Sequence, residues 1–135
     1  MPRKESLQVF LSYDQADEAF AKALSAELTK RGLSVWRYVE ELLPGDNWAL
    51  EVGGALKKSK AMVVLVSPAS MRSTWVRREI EYALGELRYK DRLFPVLVRQ
   101  TDDVPWILRE LNMLSARQGA AKIGESIADA LKQVA

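Results

Sequence analysis

Residues 61–86 read AMVVLVSPASMRSTWVRREIEYALGE, and the fold turns on how this stretch divides. Ala61 to Val66 are apolar without alternation. Such a run leaves no side for water, so it predicts a strand buried on both faces, as in a parallel sheet. Ser67-Pro68 ends it. After a short polar loop, Ser73 or Thr74 can cap a helix whose Val76, Ile80, Ala83, Leu84 and Leu87 fall on one stripe. At about 100° per residue, Trp75, Glu79, Tyr82 and Glu86 form a second line beside that stripe. Trp75 and Glu79 are then one turn apart, on the margin between core and solvent, near the strand's carboxyl edge. Ligands collect at that edge in open α/β sheets. A plainer pair of roles competes there: an indole at a helix start also plugs a core edge, and Glu79 also suits a solvated face or an ion pair with Arg77 or Arg78.

Working outward, the flanking segments alternate strand and helix. Leu7 to Ser12 is a short apolar strand, and Tyr13-Asp14-Gln15-Ala16-Asp17 leads into a helix with acidic residues at its start, where the dipole favours them. Phe20, Ala23, Leu24 and Leu28 keep helical spacing, Gly32 ends the helix as a left-handed cap, and Leu33-Ser34-Val35-Trp36 begins a second strand. Strand, helix, strand at this spacing is a parallel crossover. The loop Val39 to Asp46 ends in a Pro-Gly turn, after which Asp46 or Asn47 caps a helix carrying Trp48, Val52, Ala55 and Leu56 toward the sheet. Gly53-Gly54 inside that helix costs roughly 1 kcal/mol per residue relative to Ala, which implies close packing or a kink. Arg92 to Val98 is a fourth strand, with Pro95 at the start of pairing or at an irregularity. A short helical turn follows at Trp106. Leu111 to Leu114 form a weak fifth strand, and Ile123, Ile127, Ala130, Leu131 and Val134 mark a closing helix. Five strands alternating with helices predict a doubly wound, flavodoxin-like open sheet of parallel strands in the order 2-1-3-4-5, with helices on both faces. The chain reverses direction between strands one and three. That crevice is bounded by Ser12-Tyr13-Asp14 on one side and by Ser67-Pro68 with the following helix on the other.

At 135 residues the chain makes a single domain over 1–135, with no room for a second. It contains no Cys and no His. Thiolate nucleophiles, disulfides, His general bases, Ser-His-Asp triads and the usual zinc sites are thereby excluded, and no metal site is expected. Any acid, base or nucleophile is a carboxylate, a Lys, a Tyr or a bare hydroxyl. The net charge of +2 comes from interleaved charges rather than a basic cluster, which argues against nucleic acid as a partner. Neither a bilayer-crossing run nor a signal-peptide core follows the basic start MPRKESLQVF, so the expected address is cytoplasmic, with no membrane partner.

With these residues in place, the chain resembles a TIR domain of the bacterial type over essentially its full length. Val9-Phe10-Leu11-Ser12-Tyr13 resembles the family's opening box, and Leu43-Pro44-Gly45-Asp46 its second. Ser67-Pro68 followed by Trp75-Val76-Arg77-Arg78-Glu79-Ile80 resembles the third-strand exit and the helix that carries the catalytic glutamate of NAD-cleaving members. The resemblance implies that Glu79 engages the ribose next to nicotinamide and that Trp75 lines that pocket. It also implies that Ser12 and Tyr13 shape the site from the first-strand exit. The segment Leu42, Leu43, Pro44, Gly45 and Asp46 matches the loop through which members self-associate into homo-oligomers or filaments. NAD+ would be the substrate, with no cofactor. One departure stands out: where some active members carry an Asp after strand two, Trp36-Arg37-Tyr38 occupies the position, which places Tyr38 at the substrate site instead.

Two functions follow as expectations. The first is an NAD+ glycohydrolase, switched on by self-association in signalling or bacterial immunity, that gives nicotinamide and ADP-ribose or a cyclic variant. The second is a non-catalytic adaptor acting through homotypic assembly, with Leu42 and Leu43 either exposed for docking or folded back on the core. A phosphoacceptor receiver shares the strand order but needs an Asp where Ser67-Pro68 stands and a Lys where Ser115-Ala116 stands. A dinucleotide-binding turn is absent, because Ser12-Tyr13-Asp14-Gln15 offers no glycine.

Overall fold

The computed structural model describes residues 7–38, 45 and 47–134. Leu42, Leu43, Pro44 and Asp46 of the expected self-association loop lie outside these residues. Gly45 is described, exposed and in the left-handed region at φ +93.

Five parallel strands form one sheet in the order β2-β1-β3-β4-β5, as the alternating pattern predicts. They are β1 (Gln8–Ser12), β2 (Ser34–Trp36), β3 (Ala61–Val66), β4 (Leu93–Leu97) and β5 (Leu114–Ser115). Every residue of β3 is buried, which is why its sequence shows no alternation. Helices α1 (Glu18–Lys30) and α6 (Ala120–Val134) cover one face. Leu24, Leu28, Ile123, Ile127 and Leu131 pack there with Val9, Leu11, Val63 and Leu65. The axes come close because residue 124 is glycine: a Cβ at Gly124 would meet the Glu27 Cβ at 2.9 Å. On the other face, α2 (Trp48–Lys58) and α4 (Thr74–Leu84) bring Val52, Leu56, Val76 and Ile80 onto Phe10, Met62, Val64 and Val66.

Several sequence expectations are corrected. The segment after β3 is no loop but a five-residue helix, α3 (Pro68–Arg72), with Pro68 at its first position. The Ser67 hydroxyl accepts from the Ser70 N–H while the Ser70 hydroxyl accepts from the Ser67 N–H. This reciprocal cap satisfies donors that a single turn would otherwise leave open. Ser73, not Thr74, caps α4, through its hydroxyl and the Val76 N–H. The helix stops at Leu84, so Leu87 leaves the buried stripe and is 89% exposed, and Leu84, the last helical residue, is 44% exposed. Asn47 caps α2, accepting from the Leu50 N–H. A Cβ built at Gly53 or Gly54 meets nothing within 4 Å, so close packing is not the reason for the glycine pair. The fifth strand is two residues long and begins at Leu114, because Leu111 and Met113 pack onto the core ahead of it, after the short helix α5 (Trp106–Arg109). Pro95 lies midway in the regular β3–β4 ladder, opposite Val64, rather than at its start, and one residue before β5 begins to pair with β4 at Val96.

Candidate active site

The crevice lies where β1 and β3 part, at their carboxyl ends. Each helix that follows a strand begins at this edge, so first-turn side chains face the crevice. Glu18 opens α1, Trp48 opens α2, and Trp75 is the second residue of α4. Together with Tyr13 and Tyr38 from the ends of β1 and β2 they line a cleft of about 530 Å³. Asp14, Gln15, Val52 and Ser73 complete the lining. Both the volume and the mix of aromatic walls with few polar groups suit a small-molecule ligand.

Glu79 stands one turn beyond Trp75 and behind this wall. The spacing expectation put it on the solvent margin; instead it is 1% exposed, whereas Trp75 is 42% exposed. The difference arises because the helix turns Glu79 under the β1 exit, where two hydroxyls receive it. Ser12 donates to Glu79 Oε1 at 2.7 Å, and the Tyr38 hydroxyl donates to the same oxygen. Glu79 Oε2 is buried and has no hydrogen-bond partner among the described residues. Burial pushes the Glu79 carboxyl up from 4.5 to about 7, against the opposing pull of the Tyr38 and Ser12 hydrogen bonds. Burial and the neighbouring Glu79 raise the Tyr38 phenol well above its ordinary value, so Tyr38 stays a neutral donor.

Tyr38 packs against four rings. Its centroid is 5.4 Å from Tyr13, 5.3 Å from Trp36 and 6.2 Å from both Phe10 and Trp48, stacked on the last at 20°. The residue before it, Arg37, is buried and pairs with Glu18 Oε1, while the Tyr13 hydroxyl donates to Glu18 Oε2 at 2.6 Å. After strand two, therefore, stands a cation that neutralises an acid on α1. Beneath the cleft, Ser67 donates to Asp17 Oδ2 at 2.5 Å, which ties the β3 exit to the start of α1.

The structure brings Ser12, Tyr13, Tyr38, Trp75 and Glu79 close together at the β1 exit, and beside them stand Trp48 and Glu18, which the sequence analysis does not name for the crevice. Trp48 is 50% exposed and lines the cleft rather than the sheet. The available signal was positional: a large side chain in the first turn after a cap, at the carboxyl edge, has the crevice in front of it and the sheet below. No group of three or more acidic residues able to hold a metal exists among the described residues. No helix among them is long and apolar enough to cross a membrane.

A family model described as a TIR domain matches residues 9–133. Among curated proteins the chain is similar to the stimulator of interferon genes protein of Magallana gigas, at 30% identity over 110 residues, 78% of this chain and 26% of that protein. It is also similar to the probable 2′ cyclic ADP-D-ribose synthase TcpO of Methanobrevibacter olleyae, at 26% identity over 95 residues, 70% of this chain and 28% of that protein. The chain thus spans about a quarter of the length of these relatives. Among solved structures, the metazoan TIR-STING receptor from C. gigas in complex with 2′,3′-cGAMP superposes with a TM-score of 0.74 at 28% identity, covering 91% of this chain and 38% of that one. The TIR domain of the Toll-related receptor TRR-2 from Hydra magnipapillata gives 0.73 at 18% identity, covering 90% and 97%, and shows the shared fold.

Proposed function

From the premise that this chain belongs to the TIR domain family, we propose that it cleaves the nicotinamide–ribose bond of NAD+, with Glu79 as the catalytic carboxylate and self-association as the switch. The observation that carries this reading is the state of Glu79: a buried carboxylate with one oxygen held by Ser12 and Tyr38 and the other unpartnered, beside a cleft walled by two indoles. A buried polar atom without a partner is costly, and a sugar hydroxyl is a donor of the right kind to satisfy it. The name of the relative TcpO lends further support, since it is that of an ADP-ribose-cyclising enzyme.

The chemistry asks little of the protein beyond a carboxylate. The nicotinamide nitrogen is positively charged in NAD+, so when its bond to the ribose C1′ breaks, the electron pair leaves with the nitrogen and the base departs neutral. No general acid is needed. The cation left on the sugar is oxocarbenium-like, and a carboxylate fixed near the ribose stabilises it as charge develops. In a poorly solvated place such as that of Glu79, this interaction is stronger than in water. Water then adds at C1′ and loses its proton, giving ADP-ribose; attack by an adenine ring nitrogen gives a cyclic product instead. Tyr13, Trp48 and Trp75 supply flat apolar surface for the rings of the substrate.

The test is nicotinamide release from NAD+ measured against protein concentration, for the wild-type chain and for Glu79→Ala. Release that rises steeply with concentration and vanishes in Glu79→Ala is the expected result; equal release from both proteins ends the proposal. Trp48→Ala is expected to raise KM by about tenfold or more, because a half-exposed indole on the cleft wall is lost. An unchanged KM would place the rings of NAD+ elsewhere.

The burial of Glu79 favours a second reading, a non-catalytic adaptor that works by homotypic assembly, since a carboxylate 1% exposed touches no ligand as it stands. Under that reading the assay yields no nicotinamide at any concentration, while the chain still self-associates in sedimentation experiments.

A further inference from the structure

The same burial contains a device that the proposed reaction does not use. Tyr38 is part of the cleft wall in front of Glu79, and its hydroxyl donates to Glu79 Oε1, which closes the carboxylate off from the cleft. Resting on the reading of Glu79 as the catalytic carboxylate, we propose that Tyr38 is an internal latch: its ring and phenol stand between the cleft and the carboxylate, and the site becomes competent only when this side chain swings out.

Three features of the geometry support a latch rather than a fixed wall. The first is access to the carboxylate. Ser12 already donates to Glu79 Oε1, and with the Tyr38 hydroxyl added that oxygen is fully used, while Oε2 lies buried with no partner. The open acceptor is Oε2, which is buried behind the same wall, so a ligand hydroxyl reaching it must first get past one of the two donors. Ser12 lies in the interior of β1's end at 0% exposure, whereas Tyr38 is partly exposed on the cleft, so Tyr38 is the one free to leave.

The second feature is the anchoring. Arg37 is buried and paired with Glu18, which is itself held by Tyr13, so the chain is fixed up to the residue before the latch. Rotation of the Tyr38 side chain leaves that pair in place. The third is the cage. Tyr38 contacts Tyr13, Trp36 and Trp48 through ring faces and edges 5.3–6.2 Å apart, contacts that are soft in orientation. Trp48 is half exposed, so the ring stacked on it has solvent beside it to move into.

A latch of this kind lowers apparent affinity by the fraction of molecules that are open, and loosening it restores that affinity. Tyr38→Phe keeps the ring and its packing but removes the O–H, so it weakens the closed state by about tenfold, the scale of one hydrogen bond to a carboxyl group. Two readouts test this. In the first, carbodiimide-activated coupling of glycine ethyl ester is followed by mass spectrometry, and the rate at Glu79 is compared with that at the exposed Glu81 of the same helix. Glu79 is expected to be protected in the wild type and to label about tenfold faster in Tyr38→Phe. An unchanged ratio overturns the latch. In the second, kcat/KM for NAD+ rises about tenfold in Tyr38→Phe through a lower KM. A fall in kcat instead makes the hydroxyl part of the chemistry and also overturns it. If labelling increases as expected but neither protein nor any concentration releases nicotinamide, the latch stands and the NAD+ reading fails.

Discussion

Exchanging Glu79 for glutamine is expected to remove nicotinamide release and, at pH 8, to stabilise the fold. The two effects have one cause. Burial raises the carboxyl from 4.5 to about 7, so the folded protein holds this proton more tightly than the unfolded chain does. Stability from this group is therefore greatest below pH 4.5 and falls as the pH rises through the window from about 4.5 to about 7. At pH 8 the ionised carboxylate costs roughly 3 kcal/mol relative to a neutral group in the same place, at 1.36 kcal/mol per unit. Glutamine keeps the shape and an oxygen that can accept from Ser12 and Tyr38. Its amide N–H group at the place of the unpartnered Oε2 gives back part of the gain, leaving a net stabilisation of about 1–2 kcal/mol. Urea unfolding at pH 4 and pH 8 measures this directly. The variant should match the wild type at the lower pH within the error of the amide's own desolvation, and exceed it at the higher. A variant less stable than wild type at pH 8 would mean that the carboxylate is solvated. Over the same change the proposed reaction loses its fixed negative charge, with an expected drop in rate of at least about 10²–10³-fold.

The pH profile of the reaction is the second large effect. The carboxylate, not the acid, stabilises a sugar cation, so activity should rise with pH through the ionisation of Glu79. In the free protein that ionisation lies at about 7, and kcat/KM reports the free protein. An acid limb centred near pH 7 is expected, with a plateau above. Once NAD+ is bound, the cationic nicotinamide ring lies close to the carboxylate and favours its charged form, so the limb in kcat should move to lower pH. The groups that set the starting value are the Ser12 and Tyr38 hydroxyls, both of which pull it down, and the loss of water, which outweighs them. A limb in kcat/KM at pH 4–5 would show that Glu79 is solvated in the active form, as full opening of the wall in front of it would produce.

Burial that raises the energy of a charged group is a common mark of functional sites, because stability is given up where chemistry needs an unusual environment. Glu79 in this crevice shows the pattern. Glu79 Oε2 and Asp17 Oδ1 are both buried carboxylate oxygens without partners among the described residues, on opposite sides of the β1 and β3 exits. Asp17 at least receives Ser67 at 2.5 Å and so ties two elements together.

The order of the sheet and the two faces of its core are legible in the amino-acid pattern, because they depend on local signals. An apolar run such as Ala61–Val66 cannot sit anywhere but inside, and helical spacing of Leu24 and Leu28, or of Ile123 and Ile127, admits one buried face. The pairing of Trp75 with Glu79 is legible for the same reason, being one helical turn. What escaped is everything that depends on a distant partner. Glu79 reads as a margin residue from its own helix, and becomes buried only because Ser12, 67 positions away, and Tyr38, 41 positions away, arrive over it. Trp48 reads as a core residue from its spacing with Val52, yet it stacks on Tyr38 and faces the cleft. Which elements form and how they alternate is written in the local pattern, since secondary structure and burial answer to neighbours within a turn or a strand. Tertiary structure alone decided which carboxylate lost its water and which phenol covers it, since desolvation is set by atoms from chain segments that no local pattern connects.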